Sequence, residues 1–345
     1  MKKKWIPLLA LAAMVVLTVG TVFWRKQQAR EANTMDYIMS TLVVQRVYGP
    51  RGEEAAAAVS KALREFEEEL SLFKPESDIG RLNAAAGKAA VPVCARTESI
   101  LRQAQELSLR YPDEFALTIA PVTLAWGVSS GDPRVPEDGE LAALLPLVDD
   151  TQLLVKDGTA FLQQPSQGVD LGGVAKGAAC AVAQDIYDEY GVKSAMLNIG
   201  GNVYVHGKKP DGSFYRVGLR DPRGSESQSM AAVALCDQVM ATSGGYERYF
   251  EVDGTRYAHI FAPRTGRPAE SDILSVSVIT TDGLAADFYS TALFVGGVEK
   301  ALDYMRAGGT AIVLSEDGVL YVSQSLEASF SWIEGYEDLY RLEWV

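Results

Sequence analysis

Histidine and cysteine are scarce in this 345-residue chain, which has two of the first and three of the second. Cys94, Cys180 and Cys236 are too dispersed for a small disulfide scaffold, and they form neither a CxxC pair nor a zinc pattern. Stability must therefore come from a buried core. Dense runs of Lys and Arg are missing from the body of the chain as well. Beyond Glu31, 26 basic residues stand against 44 acidic ones. A body so charged repels nucleic acid, whose phosphates are bound by clustered cations, but it suits a hard-cation site. There is no internal repeat.

Long apolar runs are also absent, with one exception. Lys2, Lys3 and Lys4 precede an uncharged stretch from Trp5 to Trp24, and Arg25, Lys26 and Arg30 follow it. A helix of that length can cross a hydrocarbon core of about 30 Å. Thr18-Val-Gly-Thr21 could serve as a cleavage site, but the run continues past it, which favours a retained anchor over a cleaved signal. With no cysteine nearby, lipid attachment at the N-terminus is excluded. The expected organisation is a membrane anchor or signal segment over 1–30, a polar linker over 31–37 and one large domain over 38–345. That domain is expected outside the cytoplasm, at the cell membrane.

Within the domain, Ile38 to Tyr48 reads as a β-branched strand. Apolar residues from Ala56 to Phe73 recur at three- and four-residue steps, which predicts an amphipathic helix over 53–73. A second helix is predicted over 98–111, starting near Thr97 or Glu98 and closed by Pro112. Asp-Gly between β-rich runs predicts hairpins at 153–162, 249–257 and 311–322, with type I′ turns. Helices near 174–190 and 285–306 alternate with strands at 194–206, 214–220, 231–240 and 273–280. Strand-rich runs with few helices make an α+β fold, not a doubly wound sheet.

Four segments have the composition of ligand loops. In Asp170-Leu-Gly-Gly-Val-Ala-Lys-Gly177, a glycine pair exposes backbone N–H groups before a helix and Lys176 adds positive charge, which makes an anion site. The same residues would also make an ordinary strand-to-helix turn. Asp287 and Thr291 share one helical face and offer two hard oxygens of the kind Mg²⁺ accepts, although Asp287 could equally cap the helix. His259, beside Pro263-Arg-Thr-Gly266, could act as a general base or could equally be a satisfied strand-end histidine. His206 falls in a turn without companions and reads as structural. Leu117 to Gly127 and Asn198-Ile-Gly-Gly201 would suit the wall of a planar ring, with Trp126 equally able to be core.

The order of these segments, together with Met39-Ser-Thr41, Phe73-Lys-Pro-Glu-Ser-Asp-Ile-Gly-Arg-Leu-Asn83, Phe115-Ala-Leu-Thr118 and Thr242-Ser-Gly244, resembles the ApbE family of FAD:protein FMN transferases over nearly all of 37–306. The resemblance implies a two-lobed α+β domain with mixed or antiparallel sheets, flanking helices and an FAD cleft between the lobes. It implies FAD as substrate, Mg²⁺ as cofactor, and an acceptor flavoprotein, such as a membrane redox-complex subunit, that receives FMN on a threonine as AMP is released. Met39, Phe73, Glu114, Phe115, Ala116, Asp170, Lys176 and Ile260 match flavin-dinucleotide positions. Gly173, Asp287 and Thr291 match metal positions, Gly173 through its carbonyl. His259, Lys176 and Asp287 are the expected catalytic residues. Two positions depart from the family, which has Asp where this chain has Ala116 and Ala262. An FAD pyrophosphatase and a flavin-binding protein without catalysis are the alternative readings.

Overall fold

A computed structural model describes residues 14, 16–21, 27–128, 130–225 and 228–345. Most of the expected anchor run lies outside them, and no helix among the described residues is long and apolar enough to cross a membrane.

Residues 31–37 are not a linker. Glu31–Ile38 is a strand paired along its whole length with Thr41–Tyr48. The polar residues that disguised it face partners: the Asp36 carboxylate accepts from Ser60 and Arg64, and Thr34 accepts from Gln45. The two strands turn at Met39 and Ser40, which hold φ of 55° and 54°. A two-residue turn with both φ positive matches strand twist. Neither residue is the Gly or Asn that would announce such a turn.

This hairpin begins a nine-stranded sheet. Its order continues through Ser194–Ile199, Asn202–Gly207, Gln238–Ser243, Ile273–Thr280, Ala311–Ser315, Val319–Val322 and Arg341–Trp344. Every neighbouring pair is antiparallel except the last, which is parallel. Helices Gly52–Leu70, Ala175–Glu189 and Gly283–Arg306 cover one face through Val59, Leu63, Phe66, Ala179 and Phe288. A three-stranded sheet of Phe330–Trp332, Ser229–Leu235 and Tyr215–Arg220 covers part of the other, with Val217, Leu219 and Val233 inward. The architecture is the expected α+β class.

Element ends follow local chemistry. The first helix stops at Leu70, short of Phe73, because Ser71 is extended (ψ 123°) and its carbonyl accepts from Lys74 N–H and the Ser77 hydroxyl. The helix expected over 98–111 is Ala95–Ser108, and its cap is the Cys94 sulfur, which accepts from Thr97 N–H. The Asp-Gly turns at 157–158 and 253–254 have both residues at positive φ, as a type I′ turn requires. In the third hairpin Gly318 takes positive φ (85°) and Asp317 does not, so that connection is a longer loop.

The helices Ala175–Glu189 and Gly283–Arg306 cross with glycine against glycine. A Cβ on Gly177 would stand 2.0 Å from the Gly283 carbonyl oxygen, and one on Gly283 would stand 2.3 Å from the Gly177 oxygen. Both obstacles are backbone, which cannot swing aside. We therefore expect Gly177→Ala to cost about 3 kcal/mol, the upper part of the usual overpacking range. Denaturant unfolding measures it, and a loss below about 1 kcal/mol would mean that the two helices part easily.

Candidate functional site

The layers part at one end of the sheet into a cleft of about 610 Å³. Its walls include Met39, Phe73, Glu114, Phe115, Ala116, Asp170, Gly173, Lys176, His259, Ile260 and Thr291. Every expected flavin and catalytic position except Asp287 is thus on one surface. A cavity of this size falls in the range of small-molecule and cofactor sites.

Two side chains, one buried and one half-buried, hold the walls in place. The Asp150 carboxylate accepts from the Ser108 hydroxyl (2.5 Å), Leu117 N–H (2.9 Å), Thr118 N–H (2.8 Å) and the Thr118 hydroxyl (2.7 Å). It fixes the chain just after Glu114 to Ala116. Asn83 donates to the Val169 carbonyl and accepts the Val169 N–H, and Asp170 N–H donates to Leu117 O at 2.8 Å. The segment before Gly172 is therefore tied down by side chains, with no strand leading into the helix.

Asp170 accepts from Gly172 N–H at 2.8 Å and from the Thr123 hydroxyl at 2.9 Å. Burial pushes its carboxyl pKa up, and these two bonds pull against that rise. Gly173 needs to be glycine, since a Cβ there would come within 2.7 Å of the Phe115 ring and 3.4 Å of the Thr291 hydroxyl. One oxygen of Glu114 is held by Lys300 at 2.8 Å.

Asp287 does not cap its helix, which starts at Gly283 with Asp282 as the cap. It is 2 % exposed, behind the cleft wall. One oxygen accepts Gly177 N–H at 2.9 Å, across the glycine crossing, and the other lies 3.6 Å from Lys176 Nζ. One turn on, Thr291 Oγ1 is 3.4 Å from Ser243 Oγ, which also meets Ser290 Oγ at 2.9 Å.

His259 Nδ1 donates to the Arg248 carbonyl at 3.1 Å, so the neutral ring keeps its lone pair on Nε2. Burial, reinforced by the nearby Lys176 charge, lowers its pKa to about 4. The ring is therefore neutral above that pH. His206 is structural as expected but not without companions: it lies in a strand, accepts from the Tyr204 hydroxyl at 2.8 Å and donates to Val192 O at 3.0 Å.

Trp126 is core, not wall. It is fully buried among Phe250, Tyr257 and Phe261, and its indole N–H donates to Gly266 O at 2.7 Å. Sequence reasoning missed Asp150, Ser243, Arg220, Glu247 and Arg248. The Arg220 guanidinium lies 4.9 Å from the centre of the Tyr246 ring, and its buried Nε has no hydrogen-bond partner among the described residues. Arg248 donates to Ser40 O at 2.8 Å. Apart from the adjacent Glu247 and Arg248, these residues lie on separate elements with no recognisable spacing, and only Ser243, inside Thr242-Ser-Gly244, stood in a segment already singled out.

The donors around Asp287 fit a hard divalent cation. They comprise one buried carboxylate, the Thr291 and Ser243 hydroxyls and the nearby Gly173 backbone, with no sulfur and no imidazole among them. Among the described residues no group of three or more His, Cys, Asp or Glu could hold a metal. That sparse oxygen set is of the kind that suits Mg²⁺, which keeps few protein ligands and takes the rest from phosphate and water.

Known proteins share this sequence and fold. The chain is 30 % identical over 305 residues to the FAD:protein FMN transferase of Klebsiella pneumoniae (strain 342), covering 87 % of this chain and 94 % of that one. Its fold matches the ApbE protein of Thermotoga maritima with a TM-score of 0.77 at 27 % identity, over 90 % of this chain and all of the other. It also matches the flavinyl transferase ApbE of Pseudomonas stutzeri, with a TM-score of 0.75 at 27 % identity, over 91 % and 98 % of the two chains. The ApbE family model matches residues 35–314, and the chain therefore belongs to the ApbE family, that of the FAD:protein FMN transferases.

Proposed function

We propose that this protein transfers FMN from FAD to a threonine hydroxyl of an exported acceptor flavoprotein, with Mg²⁺ as cofactor and AMP as the other product. The observation that carries this reading is the placement of Lys176 and a hard-oxygen set on one side of a single cleft with a neutral His259 in the same wall. The flavin half of FAD is expected along Met39, Phe73, Ala116 and Ile260. The pyrophosphate is expected at Lys176 and the N-terminus of its helix, where the cation and the backbone N–H groups favour negative charge.

In the reaction the threonine Oγ bonds to the FMN phosphorus, and the bond from that phosphorus to the bridging oxygen of AMP breaks. His259 Nε2 accepts the threonine proton, and AMP leaves with the bridging oxygen. Mg²⁺, held by Asp287, Thr291 and the Gly173 carbonyl, would supply charge neutralisation on the pyrophosphate when bound. Lys176 orients the diphosphate for in-line attack. A bound diphosphate also offsets the Lys176 charge that depresses His259, and so makes the ring a stronger base in the complex.

The location outside the cytoplasm rests on the apolar run after Lys4. Its described residues Met14, Val16, Leu17 and Val19 are helical and each more than half exposed, without cover from the body of the protein. That supports a retained anchor over a buried helix.

Three outcomes follow from incubating the protein with FAD, Mg²⁺ and a threonine-containing acceptor peptide. Mass spectrometry should find FMN on the peptide. Free FMN would instead establish a pyrophosphatase, with water in place of threonine, and intact FAD would establish a flavin-binding protein.

Asp287→Asn keeps an acceptor for Gly177 N–H but removes the charge, so the fold should persist while Mg²⁺-dependent turnover drops at least about 100-fold. Wild-type turnover in that variant would sink the metal assignment.

The pH dependence follows from the lowered pKa of His259. The ring is a base above pH 4, so kcat/KM should stay level from about pH 8 down to about 5 and fall only toward 4. Because the folded-state pKa lies below the ordinary 6.5, the same group removes stability as pH falls from 6.5 through 4. An acid limb centred near 6.5 that persists in His259→Ala would exclude His259 as the titrating base.

A further inference from the structure

We infer that the open face of the first hairpin is the surface on which the acceptor protein docks, an inference that rests on the transfer reading. Helix Gly52–Leu70 covers one face of this hairpin through Ala32, Val43 and Val47. The three-stranded sheet that covers the opposite side packs over strands from Asn202 onward and reaches only Met196 and Tyr48 before them, and no residue of Glu31–Ile38 belongs to that cluster. Met35, Tyr37 and Leu42 are left 69 %, 72 % and 47 % exposed.

The strand register joins this patch to the cleft. Met35 pairs with Val44, Val44 with Asn198, Asn198 with Val203 and Val203 with Met240. Cross-strand partners point to the same face, so these five side chains form one row. Its last three members line the cleft. Four strand spacings of about 4.8 Å put Met35 roughly 19 Å from Met240. A second row pairs Tyr37 with Leu42, and the Leu42 carbonyl accepts the N–H of Gly200, which lines the cleft too. A single folded protein can therefore rest on the hairpin while one of its side chains reaches the phosphate site.

The polarity of the face separates this occupant from a bilayer. Near Glu31, where the chain leads back to the apolar N-terminal run, the face is charged, with Arg46 paired to Glu31 at 3.2 Å. The apolar residues lie toward the cleft, with Tyr37 about 20 Å along the strand from Glu31 at the usual rise of about 3.4 Å per residue. A membrane-seated surface would have the opposite order. Glu31–Ile38 is also the outer strand of the sheet, and among the described residues its backbone edge pairs with no further strand, which offers it to the same partner.

The test uses the full-length protein in its native membranes with FAD and Mg²⁺, reading covalently flavinylated protein bands by in-gel fluorescence. Met35→Thr, Tyr37→Thr and Leu42→Thr together keep strand propensity and remove the apolar surface. Flavinylation of the protein band should slow at least about 10-fold, while FAD affinity and transfer to a short threonine peptide stay at wild-type levels. A photo-crosslinking amino acid at position 37 should capture a protein that itself carries covalent FMN. Undiminished flavinylation in the triple variant, or crosslinks confined to lipid or to flavin-free proteins, would overturn the docking surface alone. An equal loss with the short peptide would assign these residues to the cleft and also overturn it. Wild-type membranes without any flavinylated band would overturn the transfer reading and this inference with it.

Discussion

The site depends on two helices meeting with no side chain between them. Gly177 and Gly283 let the backbones approach until a single methyl group would not fit. That approach carries Asp287, one turn into its helix, onto the Gly177 N–H, and sets Lys176 within 3.6 Å of the same carboxylate. The N-terminal end of one helix and a carboxylate-bearing helix thus become one element of the wall. The buried charge is tolerated because it has both a hydrogen bond and a cation.

Around this crossing the wall is built from segments distant in sequence, and each is held by a polar anchor. Asp150 ties down the chain after Ala116, Asn83 ties down Val169, and Arg248 ties down the turn at Ser40. Loops that carry ligand contacts are otherwise the mobile parts of a fold. Here side-chain hydrogen bonds, buried at Asp150, partly buried at Asn83 and exposed at Arg248, do for irregular backbone what ladder bonds do for a strand. Lys176 and Arg220 keep positive potential inside a body that is acidic overall.

What was legible in the residues is what local chemistry dictates. Asp-Gly gave away two hairpins with both turn residues at positive φ, and the spacing of Ala56, Val59, Leu63 and Phe66 marked a helix face. The turn at Met39 and Ser40 was invisible because its strained backbone is stabilised from afar, by the Glu67 carboxylate that accepts Met39 N–H and by Arg248. Thr34 and Asp36 made a strand look like a linker, since polarity does not reveal that Gln45 and Ser60 await them. The candidate site was legible as a set of segments, through the order of the motifs. Trp126 shows the limit: its composition suited a ring-binding wall, but Gly266, far along the chain, satisfies its indole in the core.

His259 draws its orientation from a main-chain carbonyl. Any residue at position 248 offers that oxygen, so the tautomer of the ring does not depend on which side chain stands there. The Arg248 side chain has a different task, at the Ser40 carbonyl in the turn of the first hairpin. One position therefore serves two ends of the site through two separable groups. Over evolutionary time the side chain can drift with the shape of the neighbouring turn while the tautomer of the imidazole is kept, although the Arg248 charge, which helps to lower the His259 pKa, would go with it.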